Sequence, residues 1–207
     1  MLFDDPIKLE INIKYLPTVT LTDPDILFKL WEKVNKMPKF KYINTNDNAE
    51  DKIYGYIYLL DGNKYYYEIN NNLIIDDFIY GINQSKDLED AKSLIRRLIF
   101  SKTNISKVLL KDKIIAFNEN TGFLLNQKEK IKLYDIFKNA KEVDSSKEIS
   151  ALFEGNNTPL YIIRVFDNDS EFLTINIYNE KYFSVYYLDS FLYLLKGNLL
   201  SFLKKPL

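Results

Sequence analysis

The 207-residue chain contains no cysteine and no histidine. Without cysteine it has no disulfide, no thiolate nucleophile and no Cys-ligated zinc. Without histidine the Ser-His-Asp and Cys-His relays are impossible, and zinc, haem and copper sites lose their usual ligands. Arginine is scarce, limited to Arg96, Arg97 and Arg164. Glycine is scarce too: Gly55, Gly62, Gly81, Gly122, Gly155 and Gly197 are scattered, so no Gly-rich phosphate loop exists. No apolar run reaches the roughly 18 residues of a membrane span. The acidic opening, Met1-Leu2-Phe3-Asp4-Asp5, is not a signal peptide. Freedom from thiols suits an exported chain as well as an intracellular one. Two locations therefore stay open: the cytoplasm, or an extracytoplasmic site reached by a targeting segment upstream of Met1.

Charge of one sign is also lacking. The net charge is −1, with 14 basic and 16 acidic residues up to Asn104 and 14 and 13 beyond it. Neither half carries the basic excess that phosphate binding requires, so nucleic acid is not an expected partner. What the chain has in abundance is aromatic: 16 Tyr, 14 Phe and 1 Trp. The accompanying Lys, Asn and Ile follow from an AT-rich coding sequence, so the tyrosine count alone marks no binding surface.

Residues 7–14 alternate Ile7, Leu9, Ile11 and Ile13 with Lys8, Glu10, Asn12 and Lys14, the period-2 pattern of a half-buried strand. Val19 and Leu21 continue an extended segment. Thr22-Asp23-Pro24-Asp25 is a helix start. The helix it opens runs to about Met37, with Leu27, Leu30, Trp31 and Val34 on one face. That spacing places Trp31 in a core. A polar loop is expected over 44–51. Strands at 54–60 and 64–70 flank Asp61-Gly62-Asn63, a strong hairpin signal. Short strands are expected at 73–75 and 78–82, then a helix over 86–100. In the second half the pattern predicts an extended run at 108–117 and a helix over 126–140 with Ile131, Tyr134, Ile136 and Phe137. A short helical piece near 145–153, a hairpin around Asp167-Asn168-Asp169-Ser170 and a strand at 182–187 follow. A closing helix is expected over 189–203.

The halves repeat one order of elements. A shift of 106 lays Ile57 on Ile163, Asp61 on Asp167, Ile69 on Ile175, Asn70 on Asn176, Tyr80 on Tyr186, Leu88 on Leu194 and Leu94 on Leu200. A shift of 103 lays Lys29 on Lys132, Leu30 on Leu133, Trp31 on Tyr134 and Val34 on Phe137. The difference falls in the loop after the helix, where length changes are tolerated. On this register the second copy reads as running to the last residue, leaving only the N-terminal side open.

The run of motifs is Leu21-Thr22-Asp23-Pro24-Asp25, Leu30-Trp31, Tyr56-Ile57-Tyr58-Leu59-Leu60-Asp61-Gly62-Asn63-Lys64, Ile74-Ile75 and Tyr80. It resembles small extracytoplasmic lipoprotein-type α+β domains of low-GC Gram-positive bacteria. The likeness covers about 18–101 and, more loosely, 122–207. It implies an envelope location and a binding role, and it brings no catalytic residues. The chain departs from it in lacking a signal peptide and a lipid-attachment cysteine.

Three groups of residues could bear chemistry. Asp76 and Asp77 with Asp87, Glu89 and Asp90 could gather around a hard cation, although acids at 87–90 also suit a helix N-terminus. Asp167-Asn168-Asp169 opens like a calcium loop but lacks the following Gly and the distal Glu; a hairpin turn, where Asp and Asn are expected anyway, is the preferred reading. Tyr54, Tyr56 and Tyr58 share one side of a strand, opposite Gly55, Ile57 and Leu59. If Ile57 and Leu59 face the core, the three tyrosines line an outer face of rigid amphipathic rings that could bind a partner; the alternative is that helices cover both faces or that cross-strand aromatic pairs only stabilise the sheet.

The sequence therefore predicts an α+β protein of two tandem pseudo-repeats, 1–104 and 105–207, either separate or packed together. Each is expected to be an antiparallel sheet with two helices in the order β-α-β-β-β-α. The function expected is a non-catalytic binding or scaffold role in the cell envelope, with another protein or an envelope component as partner and no cofactor or metal. The alternative is a cytoplasmic protein-binding inhibitor of the immunity or phage-antagonist kind.

Overall fold

The computed structural model of the chain describes residues 5–41, 52–81, 85–110, 113–118, 121–154 and 158–203. Its two long crossing helices begin where the capping chemistry says. Asp23 is extended, and its carboxylate accepts from the N–H groups of Asp25 and Ile26. Pro24 then occupies the first helical position, where no N–H is needed. Helix α1, Pro24–Lys36, buries Leu27, Leu30, Trp31 and Val34 and stops at Met37, ahead of Pro38. Helix α4, Gln127–Asn139, starts with a capping box: the Glu129 N–H donates to Asn126 Oδ1, and the Asn126 N–H donates to Glu129 Oε2. It ends at Ala140. Both helices have 13 residues, and both caps keep the 103-residue shift. On α4 the buried apolar residues are Leu133 and Phe137, whereas Ile131 is exposed.

The chain divides into two compact units, Met1–Asn104 and Ile105–Leu207. The first contains β1 (Pro6–Asn12), β2 (Val19–Leu21), α1, β3 (Lys39–Lys41), β4 (Ile53–Leu59), β5 (Lys64–Ile69), β6 (Leu73–Ile75), β7 (Phe78–Tyr80) and α2 (Lys86–Ile99). The short helix α3 (Lys102–Val108) straddles the division. The second contains β8 (Lys113–Asn118), β9 (Thr121–Leu124), α4, β10 (Lys141–Glu142), α5 (Ser146–Glu154), β11 (Tyr161–Asp167), β12 (Ser170–Ile177), β13 (Tyr182–Tyr187), β14 (Ser190–Lys196) and α6 (Leu200–Leu203).

Among the described residues each unit has one antiparallel seven-stranded sheet. The orders are β2-β1-β4-β5-β6-β7-β3 and β9-β8-β11-β12-β13-β14-β10. Numbered within its own unit, each sheet reads 2-1-4-5-6-7-3. In both, the crossing helix carries the chain from one edge strand to the other, and the remaining strands fill the middle as hairpins. In the first unit α1 and α2 lie on the same side. Leu30, Trp31, Leu88 and Ala91 meet Leu9 and Ile57 of the sheet around an apolar cavity of about 30 Å³. In the second unit Phe137 of α4 meets the rings of Phe183 and Tyr193 on the corresponding inner face.

Several sequence expectations are corrected. The order β-α-β-β-β-α omits edge strands that flank each crossing helix. The closing helix expected over 189–203 is instead strand β14 followed by the four-residue α6. Leu188 and Asp189, at φ 44° and 63°, make a tight turn that returns the chain along β13. The 106-residue shift therefore fails beyond the hairpin. Leu88 lies on a helix and Leu194 on a strand, while Asn70 is a turn residue and Asn176 pairs with Ser184 inside the sheet. Val108 ends α3 instead of opening a strand. Ile7 points outward because the β1–β4 register shifts between Pro6 and Lys8. The polar stretch expected as a loop at 44–51 lies outside the described residues.

Candidate functional site

Strand β4 sorts its side chains strictly. Ile53, Gly55, Ile57 and Leu59 are buried on the inner face, while Tyr54 and Tyr56 are exposed and Tyr58 is half-buried on the outer one. Gly55 is required in this strand. A Cβ there would stand 1.8 Å from the Glu10 carbonyl oxygen, so β1 and β4 come together only over a residue without a side chain. The same approach gives the buried Tyr67 hydroxyl a partner: it donates to Glu10 O at 3.1 Å.

Antiparallel pairing fixes what surrounds the tyrosines. Tyr54, Tyr56 and Tyr58 face Glu68, Tyr66 and Lys64 on β5, and Asn12, Glu10 and Lys8 on β1. Tyr56 and Tyr66 meet edge to face, with ring centroids 5.6 Å apart. The Lys64 ammonium sits 3.6 Å from the Tyr56 ring centre, and that of Lys8 sits 3.7 Å from the Tyr58 ring centre. Tyr58 donates to Glu10 Oε2 at 2.8 Å, and Lys8 donates to Glu10 Oε1 at 2.8 Å. These two donors, Lys8 first, hold the Glu10 carboxyl below the usual carboxylate range. Tyr66 donates to Glu68 Oε1, which also pairs with Lys52. Burial and that hydrogen bond push the Tyr66 phenol well up.

Tyr54, Tyr56 and Tyr58 thus lie together on the outer face, but not as equals. Tyr58 is committed to Glu10 and Lys8. Tyr66, contributed by the next strand, stands in the open with Tyr54 and Tyr56; the three are 39%, 37% and 37% exposed for Tyr54, Tyr56 and Tyr66. The Asp-Gly turn held the signal for Tyr66, because the hairpin register it sets brings Tyr56 opposite Tyr66. Phe40, half exposed on edge strand β3, extends the face through Ile79 and Ile74, a cross-strand row with one residue per strand. No periodicity in the three-residue β3 announced it.

The candidate acidic residues lie in turns and at a helix start: Asp76 and Asp77 between β6 and β7, Asp87 and Glu89 in the first turn of α2. Asp76, at φ 47°, forms the β6–β7 turn and accepts the Tyr66 N–H. Glu89 pairs with Lys92 within α2, and Asp90 pairs with Lys33 of α1 at 2.7 Å. The Lys33 contact is what holds the Asp90 carboxyl low. Asp167 and Asp169 flank Asn168 in a hairpin turn at φ 54°, and Lys113 approaches Asp169. Among the described residues no three carboxylates gather closely enough to hold a metal ion. The cavity under α1 and α2 is about the volume of one water molecule, far below the several hundred Å³ of a small-molecule site. Among the described residues no helix is long and apolar enough to cross a membrane.

A family model described as protein of unknown function (DUF3919) matches residues 4–204, a span that takes in both units. Neither the curated proteins nor the solved structures contain a match to the chain.

Proposed function

We propose that this chain, which belongs to the DUF3919 family, is a non-catalytic binding protein whose first unit presents its outer sheet face to a protein partner. The observation that carries this reading is one of placement. Tyr54, Tyr56 and Tyr66 project from neighbouring strands onto one face, opposite the side that α1 and α2 cover. Tyrosine gives large contact area at low entropic cost and brings a hydroxyl for hydrogen bonding. Here the rings are already braced, Tyr56 by Lys64 and Tyr66, and Tyr66 by Glu68. Preorganised rings lose little freedom on binding, which is how a contact surface gains affinity without more area.

The test is affinity capture from the source cells with the full chain as bait, beside Tyr54→Ala/Tyr56→Ala. Both substitutions lie at the surface and leave the buried face of β4 intact. A partner retained by the native chain should be lost from the variant by tenfold or more, as for truncated aromatic hot spots worth ~2 kcal/mol in total. Equal retention of the same partner by both proteins would refute the reading.

A further inference from the structure

The two units share one strand order, yet they differ in what lies on the outer face. In the second unit the connection from β10 to β11 contains α5. Leu152 of α5 joins Val143, Tyr178 and Leu194 in a buried cluster, with Ile149 and Tyr182 packed at its margin. Phe153 stands edge-on to Tyr178 and Phe191, at 5.9 Å and 6.1 Å. Glu148 fastens the helix to Lys196 of β14 at 2.9 Å. A sheet of this topology thus takes an amphipathic helix on the outer side of its sixth and seventh strands.

In the first unit those strands are β6 and β7. On the outer side they carry Ile74 and Ile79, and edge strand β3 adds Phe40, 49% exposed. The row continues through Glu68 to Tyr54. No helix among the described residues lies over it. The sequence joining β3 to β4, 42–52, also offers no counterpart to Ile149, Leu152 and Phe153: its apolar residues are Tyr42, Ile43 and Ala49, which do not stand at i, i+3 and i+4.

We propose that Phe40, Ile79 and Ile74, with Tyr54 and Tyr66 beside them, form the docking site for an amphipathic helix of a partner protein, seated as α5 is seated on the second unit. The proposal rests on the binding reading above and names the class of partner. The partner helix presents aliphatic or aromatic residues at positions i, i+3 and i+4, the spacing of Ile149, Leu152 and Phe153. It carries a flanking carboxylate. On this face Lys8 is paired with Glu10 and Lys52 with Glu68, while Lys64 rests on the Tyr56 ring with no carboxylate in salt-bridge reach among the described residues.

The probe is a hydrocarbon-stapled helix with the sequence Ser146–Glu154, titrated into the isotope-labelled full chain. Saturable shifts are expected at Phe40, Ile74 and Ile79 with a Kd below about 1 mM. Phe40→Ser should weaken binding about tenfold, and lysine in place of both peptide glutamates about threefold. If Phe40→Ser disturbs the fold, as read by Trp31 fluorescence, a spin label on the peptide replaces it; broadening at Tyr54 and Tyr66 is then the expected result. No saturable shift at 1 mM, or shifts and broadening confined to other surfaces, would overturn the proposal. A captured partner that contacts Tyr54 and Tyr56 through an extended strand or a glycan would overturn it too, and would leave the binding reading standing.

Discussion

Alanine at Gly55 should strongly destabilise the first unit. Gly55 faces Ile11 across the β1–β4 pair. An added Cβ would stand 1.8 Å from Glu10 O, 2.8 Å from Glu10 C and 3.1 Å from a ring carbon of Tyr67. Contacts that short are not tolerated, so the two strands must part by more than about 1 Å. Backbone hydrogen bonds near 2.9 Å cannot survive such a displacement. Two or three rungs beside Gly55 are lost, together with the Tyr67–Glu10 bond. At about 1 kcal/mol for each net bond, and more for a buried hydroxyl left alone, the cost is ~3–5 kcal/mol. That is a large share of the 5–15 kcal/mol of an ordinary domain. Trp31, the sole tryptophan, is buried on α1, so its fluorescence during urea unfolding reports the first unit. The midpoint should fall by about 2 M. Gly62→Ala is the control: φ is +87° but nothing lies within 4 Å of the new methyl, so the cost is about 1 kcal/mol of backbone strain. Equal midpoint shifts in the two variants would refute the close-approach account.

Asn104 is buried, and its side-chain amide donates to Pro17 O and Ile99 O at 3.2 Å and 2.9 Å; Asn104→Ala should cost ~2–3 kcal/mol by the same assay, and a loss under about 0.5 kcal/mol would show these bonds to be dispensable. Glu10 has a lowered pKa, so its contribution to stability is present above the ordinary carboxylate pKa and is lost as pH falls through the depressed native value. The midpoint difference between the native chain and Glu10→Gln should therefore be full above the ordinary carboxylate range and shrink as pH falls through the depressed native value; a pH-independent difference contradicts the linkage. Burial raises the phenols of Tyr67 and Tyr193, and pushes Tyr80 up to about 12. Their neutral forms stabilise the fold fully below about pH 10, and that contribution fades as pH rises toward the native values. In an absorbance titration these rings should ionise together with the loss of circular dichroism. A single reversible step for all 16 tyrosines with the fold intact would contradict this.

Local chemistry was legible wherever a few adjacent residues decide the outcome. Asp23 and Pro24 placed α1, Asn126 and Glu129 placed α4, and Asp61-Gly62 placed the first hairpin. Alternation along β4 told which tyrosines share a face, because side chains on a strand alternate whatever the strand packs against. The stretch from Phe191 to Leu195 was not legible. Leu195 is buried on the inner face, and Leu194 is buried on the outer face under α5. A strand covered on both sides shows a continuous apolar run, and neither a 2-residue nor a 3.6-residue period distinguishes it from a buried helix.

What the sequence by itself determined is therefore the set of locally encoded events: helix starts and stops, turns, the alternation that turns Tyr54, Tyr56 and Tyr58 one way, and the exclusion of thiol and imidazole chemistry. What only the tertiary structure decided is which strands become neighbours and which faces gain a second layer. The 2-1-4-5-6-7-3 order, the replacement of Tyr58 by Tyr66 among the open rings, and the helix over one outer face all arise from contacts between residues far apart in the chain. Such contacts are selected by the free energy of burying whole faces together, a quantity no short window of sequence contains.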